Sequence, residues 1–260
     1  MPKIRRNRLI EMYHLPKTSS SFYRIAINTG CLGSCTYCKT VHARGKLGSY
    51  TPQAILKRML RSIKEGCSEI WLTSEDTGAY GRDIGSSIAE LLMLLVRNIP
   101  RHVMMRIGMT NPPFILEHIK CIARVLNHPN VYSFLHIPVQ SGNNEVLERM
   151  NREYTVEEFE FCCDYLLKYV PGITISTDII CGFPGGINFY SSINNTLESD
   201  KQFEDTMILV RKYQFSVMNI SQFYPRPGTV AAKMKKCNTK DVKKRSREIS
   251  RFYVGQTRFR

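Results

Sequence analysis

Acidic side chains are in short supply. The 260 residues carry 22 Asp and Glu against 37 Lys and Arg, a formal net charge of +15. A field so strongly of one sign points to a polyanionic partner. With no basic amphipathic helix bearing an aromatic face, nucleic acid ranks ahead of a membrane surface. A basic surface that serves solubility alone is the rival reading. Long apolar runs are lacking too: the densest, from Leu91 to Val96, falls far short of the roughly 18 residues a spanning helix needs, so no membrane span is expected. Met1 to Arg8 is basic but has no apolar segment behind it, so no secretory signal is expected here and a mitochondrial presequence is the weaker alternative. Nine cysteines without such a signal suit a reducing compartment, and a cytoplasmic location is expected. What is present, 43% hydrophobic and 10% aromatic residues, describes a cored globular chain long enough for one α/β barrel-sized domain.

Three of the cysteines stand together in Cys31-Leu-Gly-Ser-Cys35-Thr-Tyr37-Cys38. Three thiolates on one short glycine-bearing loop can hold three corners of a 4Fe-4S cluster. One iron is then left for a small molecule with an amine and a carboxylate, of which S-adenosylmethionine (SAM) is the candidate. Cys31, Cys35, Cys38 and His42 also spell a closed Cys3His zinc site, and loop cysteines without any metal are a third reading. Structural zinc usually staples a domain too small for its own core, which this chain is not. The cysteines follow the β-rich run Tyr23 to Asn28 and the turn Thr29-Gly30, so they fall just past the carboxyl end of a first strand, where α/β barrels put their chemistry.

Residues 1–22 read as a basic lead-in, 23–232 as the core with a polar Asn/Ser-rich insertion at about 187–200, and 233–260 as a basic helical tail. Within the core, strands are expected at Glu69 to Thr73, Val103 to Gly108, Val131 to Pro138, Ile173 to Cys181 and Ser216 to Phe223. Helices are expected between them, the first opened by Thr51-Pro52 and another by the capping box Thr155-x-x-Glu158. Six strands alternating with helices is an α/β pattern with a parallel sheet. Its strand-end loops gather Ser74, Glu75, Asp76, Asn111, Gln140, Ser141, Asp178 and Arg226 on one rim. Cys162 and Cys163 read as core filling. In the tail, Val242, Ile249 and Phe252 are spaced to pin a helix while its cations face out.

Taken with the segments Leu72 to Gly81, His136 to Gly142, Thr177 to Gly185 and Gln222 to Thr229, the cysteine motif resembles the radical SAM core of the threonylcarbamoyladenosine tRNA methylthiotransferases, from about residue 24 to 253. The resemblance implies a partial (β/α)6 TIM-like radical SAM barrel and methylthiolation of carbon 2 of threonylcarbamoyladenosine beside a tRNA anticodon. It implies one 4Fe-4S cluster on Cys31, Cys35 and Cys38, and SAM near Tyr37, Ser74, Glu75, Asp76, Gln140, Ser141 and Asp178. Its partners would be tRNA and an electron donor, either a reductase or a flavodoxin- or ferredoxin-like protein. Which residue, if any, acts as a catalytic group is left open.

Three departures from that family stand out. Its second cluster needs cysteines ahead of the barrel, and none precedes Cys31. Its RNA-binding β-barrel would begin where this chain stops, and its Pro-Gly-Glu is Pro184-Gly185-Gly186 here. The expectation is therefore either part of a longer product or a reduced protein with altered chemistry. A degenerate RNA-binding barrel without turnover and a zinc-stabilised barrel remain as alternatives.

Overall fold

A computed structural model of the chain describes residues 21–185 and 197–257. Its framework is a succession of short parallel strands whose alternate residues are buried. β1 (Phe22–Ala26) pairs with β4 (Glu69–Thr73), and β4 with β5 (Met104–Arg106). β6 (Phe134–His136) pairs with β7 (Thr174–Cys181), and β7 with β8 (Val217–Gln222). An isolated parallel bridge, Met105 to Val131, joins the two groups of three. Among the described residues β1 and β8 do not pair, so the barrel is partial. Two-residue strands β2 (Asn28–Thr29) and β3 (Gly48–Ser49) pair antiparallel and flank the cysteine loop.

Tyr23 and Ile25 of β1, Ile70 and Leu72 of β4, Met105 of β5 and Leu135 of β6 are buried under the helices. The residues between them take the opposite face, as the period of two demands. The helices are α1 (Thr40–Arg44), α2 (Pro52–Lys64), α3 (Ile88–Asn98), α4 (Pro112–Leu116), α5 (Ile119–Leu126), α6 (Asn144–Arg149), α7 (Val156–Tyr169), α8 (Asp200–Tyr213) and α9 (Thr239–Thr257). Their starts obey capping chemistry. Thr51 Oγ1 accepts from Ala54 N at 3.3 Å, and Thr155 and Glu158 close both halves of their box at 3.3 and 2.8 Å. Cys162 and Cys163 on α7 are fully buried in the core.

Some expectations need correcting. The strand expected over Val131 to Pro138 is regular only at Phe134–His136; Phe134 N turns back to Tyr132 O, and Pro138 has no N–H to give a ladder. The single helix expected between β5 and β6 is broken at His118, whose φ of −124° and ψ of 13° leave the helical region. Helix α6 was not anticipated. The proposed lead-in and insertion lie largely outside the described residues. On α9, Val242 and Ile249 are buried and Phe252 half-buried, as expected. Arg245, however, turns inward instead of facing out. It is 6% exposed and bonds Glu198 Oε2 at 2.9 Å and Asp200 Oδ1 at 2.8 Å, because Glu198, itself 4% exposed, needs a countercharge in the interior.

Candidate metal and cofactor site

The cysteine loop leaves β2 through Gly30, whose φ of +72° and whose contact with the next crossing exclude a side chain: a Cβ there would stand 2.2 Å from Lys46 O. Cys31, Cys35 and Cys38 then line one cavity of about 180 Å³ together with residues from the ends of the strands. The loop is held from outside itself. Thr36 N donates to Met150 O at 3.0 Å and Thr36 Oγ1 to Arg149 O at 2.8 Å. Asn151 Nδ2 donates to Ser34 O and Oγ at 3.0 and 2.7 Å, and Ala231 N to Thr36 O at 2.9 Å.

Each sulfur has a donor beside it. The Gly33 N–H is hydrogen-bonded to Cys31, partly offsetting the burial that pushes that thiol up. Arg152 Nη1 donates to Cys35 Sγ at 3.1 Å, and Thr40 N to Cys38 Sγ at 3.4 Å. A Cβ built on Gly33 would stand 3.8 Å from Cys31 Sγ and 3.9 Å from Cys35 Sγ, so the loop backbone passes between two sulfurs that face the same space. Donors aimed at sulfur stabilise thiolate over thiol and suit iron–sulfur ligation. A mononuclear ion fits less well. His42 on α1 is exposed, and among the described residues no three His, Cys, Asp or Glu side chains converge tightly enough to hold one ion. A cubane asks for less convergence, since it spreads its thiolates over separate irons.

Across the cavity, Asp76 is 3% exposed. Its Oδ1 accepts from Gly78 N at 3.0 Å and Asn111 N at 3.3 Å, and its Oδ2 from Asn111 Nδ2 at 2.5 Å. Burial nevertheless wins over these bonds and pushes its carboxyl up to about 6. Asn111 passes the interaction on, since its Oδ1 accepts from Arg152 Nη2. A chain of polar groups thus runs from Cys35 through Arg152 and Asn111 to Asp76.

Asp178 sits on β7 facing the cavity. Burial works to raise its carboxyl. Hydrogen bonds at 2.8 Å from both His136 and Asn219, with the charge of Arg152, together hold it below its ordinary value. Gln140 takes a left-handed φ of 68°, unusual outside glycine. Its backbone is fixed there by Asp178 O at 2.8 Å and Ile180 N at 3.0 Å. Burial also raises the Tyr37 phenol.

Of the residues expected on the rim, the structure brings Cys31, Cys35, Cys38, Tyr37, Glu75, Asp76, Asn111, Gln140 and Asp178 to this cavity. Ser74 and Ser141 lie behind it. Ser74 Oγ hydrogen-bonds Asn28 and accepts from Asp76 N at 2.9 Å. Ser141, 1% exposed, meets Thr206 Oγ1 at 3.3 Å, so both shape loops. Arg226 is exposed and outside the lining. The sequence reading missed Arg152 and Tyr154, which line the cavity from the loop between α6 and α7. The signal available was the non-periodic polar run Asn151 to Glu153 just ahead of the Thr155 capping box.

The Radical SAM superfamily model matches residues 25–187. A protein named threonylcarbamoyladenosine tRNA methylthiotransferase from Drosophila melanogaster is 53% identical over 255 residues, 98% of this chain and 42% of its own length. One of the same name from Homo sapiens is 52% identical over 253 residues, covering 97% and 40%. A probable threonylcarbamoyladenosine tRNA methylthiotransferase from Pyrococcus abyssi is 40% identical, covering 96% and 59%. The chain thus spans about two fifths of the length of the animal relatives. Among solved structures, coproporphyrinogen III oxidase from Escherichia coli, a radical SAM enzyme, aligns with a TM-score of 0.64 at 16% identity over 96% of this chain and 55% of its own. A radical SAM methyltransferase from Kitasatospora setae aligns at 0.63 and 17% over 81% and 38%. At these identities the structural likeness speaks for the barrel alone.

Proposed function

The chain belongs to the radical SAM superfamily, and from that premise we propose that it is the barrel of a tRNA-modifying methylthiotransferase acting on carbon 2 of threonylcarbamoyladenosine. Membership implies a 4Fe-4S cluster and SAM; the proposal adds that Cys31, Cys35 and Cys38 are the three protein ligands. The observation that carries it is the cavity itself, where three sulfurs, each with its own hydrogen-bond donor, face a buried carboxylate and the polar ends of two strands. When bound, the cluster and SAM supply one-electron chemistry that breaks an unactivated carbon–hydrogen bond, which no side chain could ionise.

The chain's own residues do the holding. Asp76 offers a carboxylate to a cationic amine, a charge-assisted bond of the stronger kind. Gln140, beyond the end of β6, and Asp178, within β7, present fixed polar groups, and Tyr37 closes the cavity with a ring packed edge-on against Phe183 at 5.9 Å. Arg152 donates from Nη1 to Cys35 Sγ and so fixes the position of that sulfur. An external electron donor, a reductase or a flavodoxin- or ferredoxin-like protein, belongs to the same proposal. The names borne by the relatives, together with the chain's +15 charge, support tRNA as the substrate.

Anaerobic reconstitution with iron and sulfide tests the reading. Wild type should take up iron and sulfide and bind SAM and tRNA, and Cys35→Ser should fold but retain neither iron nor SAM, because a hydroxyl is a poor soft ligand. Full iron content in Cys35→Ser would overturn the ligand assignment.

A further inference from the structure

The face of the sheet turned away from the helices carries a row of side chains that the cavity does not use. Phe22 and Arg24 of β1, Glu69 and Trp71 of β4, Arg106 of β5 and Phe134 of β6 all take that side, because their neighbours are the buried residues under the helices. Strand register puts Arg24 directly across from Trp71, and Trp71 across from Arg106.

The contacts follow. Arg24 Cζ lies 5.5 Å from the centroids of both Phe22 and Trp71. Arg106 Cζ lies 4.7 Å from that of Trp71 and 4.3 Å from that of Phe134. The Phe22 and Trp71 rings stack at 4.9 Å. Glu69 is the carboxylate of the row, and its Oε1 already accepts from Trp71 Nε1 at 2.5 Å. Among the described residues neither arginine forms a salt bridge. Arg24 is exposed, and Trp71, Arg106 and Phe134 are half-buried.

Sealing the sheet does not require this arrangement, since a core layer would be aliphatic and uncharged. Guanidinium groups set beside rings, Arg24 next to Phe22 and Trp71 and Arg106 between Trp71 and Phe134, keep N–H groups for phosphate, and clusters of arginine and aromatic side chains are a common contact for single-stranded bases. The rings also hold the arginines in place, which lowers the ordering cost of binding. One step beyond Phe134 on the same face stands His136, bonded to Asp178. Asp178 lines the cavity, so the row is linked to the cavity through His136.

We propose that the row Arg24, Trp71, Arg106 and Phe134 is the contact surface for a single-stranded RNA segment, the nucleotides adjoining the one presented to the cavity. The proposal rests on the reading of the substrate as tRNA and names where that strand lies. Charge complementarity points to a polyanion, since the row carries two guanidinium groups against the one carboxylate of Glu69 on a chain of net charge +15, and the rings beside those cations suit the bases of RNA better than an acidic protein.

Trp71 is the one tryptophan of the sequence, so its emission reports on this surface alone. The 260-residue chain is titrated with an end-labelled oligoadenylate of about ten nucleotides, within the usual site size. Label anisotropy and tryptophan emission are followed together. RNA binding should quench Trp71, and Arg24→Lys with Arg106→Lys should weaken binding about tenfold although charge is kept, because lysine lacks the guanidinium's planar, multi-donor fork. Arg24→Lys alone, at an exposed position, should show part of the loss, and circular dichroism confirms folding of both variants. If anisotropy reports binding while Trp71 emission and the lysine variants stay as wild type, the row is not the RNA surface and the proposal falls, with the tRNA reading intact. Emission altered by an acidic protein such as flavodoxin but not by RNA overturns it equally. If a folded chain binds neither the oligoadenylate nor a tRNA, the tRNA reading itself falls and takes the proposal with it.

Discussion

Asp76→Asn separates the two roles of the buried carboxylate. In the cofactor-free chain its pKa is pushed from 3.8 to about 6 by burial. A raised carboxyl means that the folded state binds the proton more tightly than the unfolded one. The associated stability is fully present below about pH 4 and is lost as pH rises through 6. Two pH units at 1.36 kcal/mol each set that loss at about 3 kcal/mol. Asparagine keeps an oxygen for Gly78 N and Asn111 N, which reach Oδ1 at 3.0 and 3.3 Å, but turns a donor toward Asn111 Nδ2, at a cost of about 1 kcal/mol. The apo variant should therefore be more stable than wild type by roughly 1–2 kcal/mol at pH 7.5 and less stable at pH 4 by about 1 kcal/mol. Urea denaturation of the metal-free proteins between those pH values measures it, and the difference curve cancels groups such as Glu198 that titrate in both. The reconstituted variant should show the opposite sign in SAM binding, weaker by about tenfold or more for loss of a charge-assisted bond. Parallel stability curves for the two apo proteins would refute the reasoning, since Asp76 would then carry no shifted proton.

Arg245→Ala leaves the Glu198 carboxylate buried without its partner and should cost about 3–5 kcal/mol; denaturation at pH 7 checks it, with part of the loss recovered as Glu198 protonates at lower pH. Gly182→Ala, at φ +75° with the new Cβ only 2.3 Å from Val242 Cγ2, should destabilise by about 1–3 kcal/mol and expose α9 to proteolysis. Adding Val242→Ala should relieve the clash but leave the backbone strain, so a double mutant no better than the single would show that contact with α9 is not the cause.

Most of the framework was legible because it is local. β4 was read to the residue from its β-rich alternation, and Thr51, Thr155 and Glu158 announced their helix starts by chemistry that spans three positions. That Cys31, Cys35 and Cys38 share one cavity was legible from their spacing. What failed to show was set by distant partners. Arg152 matters because of Cys35, 117 residues away, and Arg245 is drawn inward by Glu198, 47 residues earlier. No window of sequence holds either pair. Ser74 and Ser141 resembled their neighbours Glu75 and Gln140 in polarity and position. Their different fate turns on which way a side chain leaves a turn, as the hydroxyl bonds to Asn28 and Thr206 record.

The anchoring of the cysteine loop also bears on the order of events during synthesis. Thr36 is tied to Arg149 and Met150, more than a hundred residues on, and to Ala231, while Ser34 is tied to Asn151. A ribosome that has just released the three thiols has made only the loop's nearest contacts, and not those to Arg149, Met150, Asn151 and Ala231. The full set of anchors is complete only once the chain past Ala231 has left the exit tunnel and docked. Completion of the cysteine loop is in this sense a late event, set by chain that follows it. Any truncation or stall short of Ala231 would leave the loop without its contact to Ala231, and one short of Arg149 without those to Arg149, Met150 and Asn151 as well.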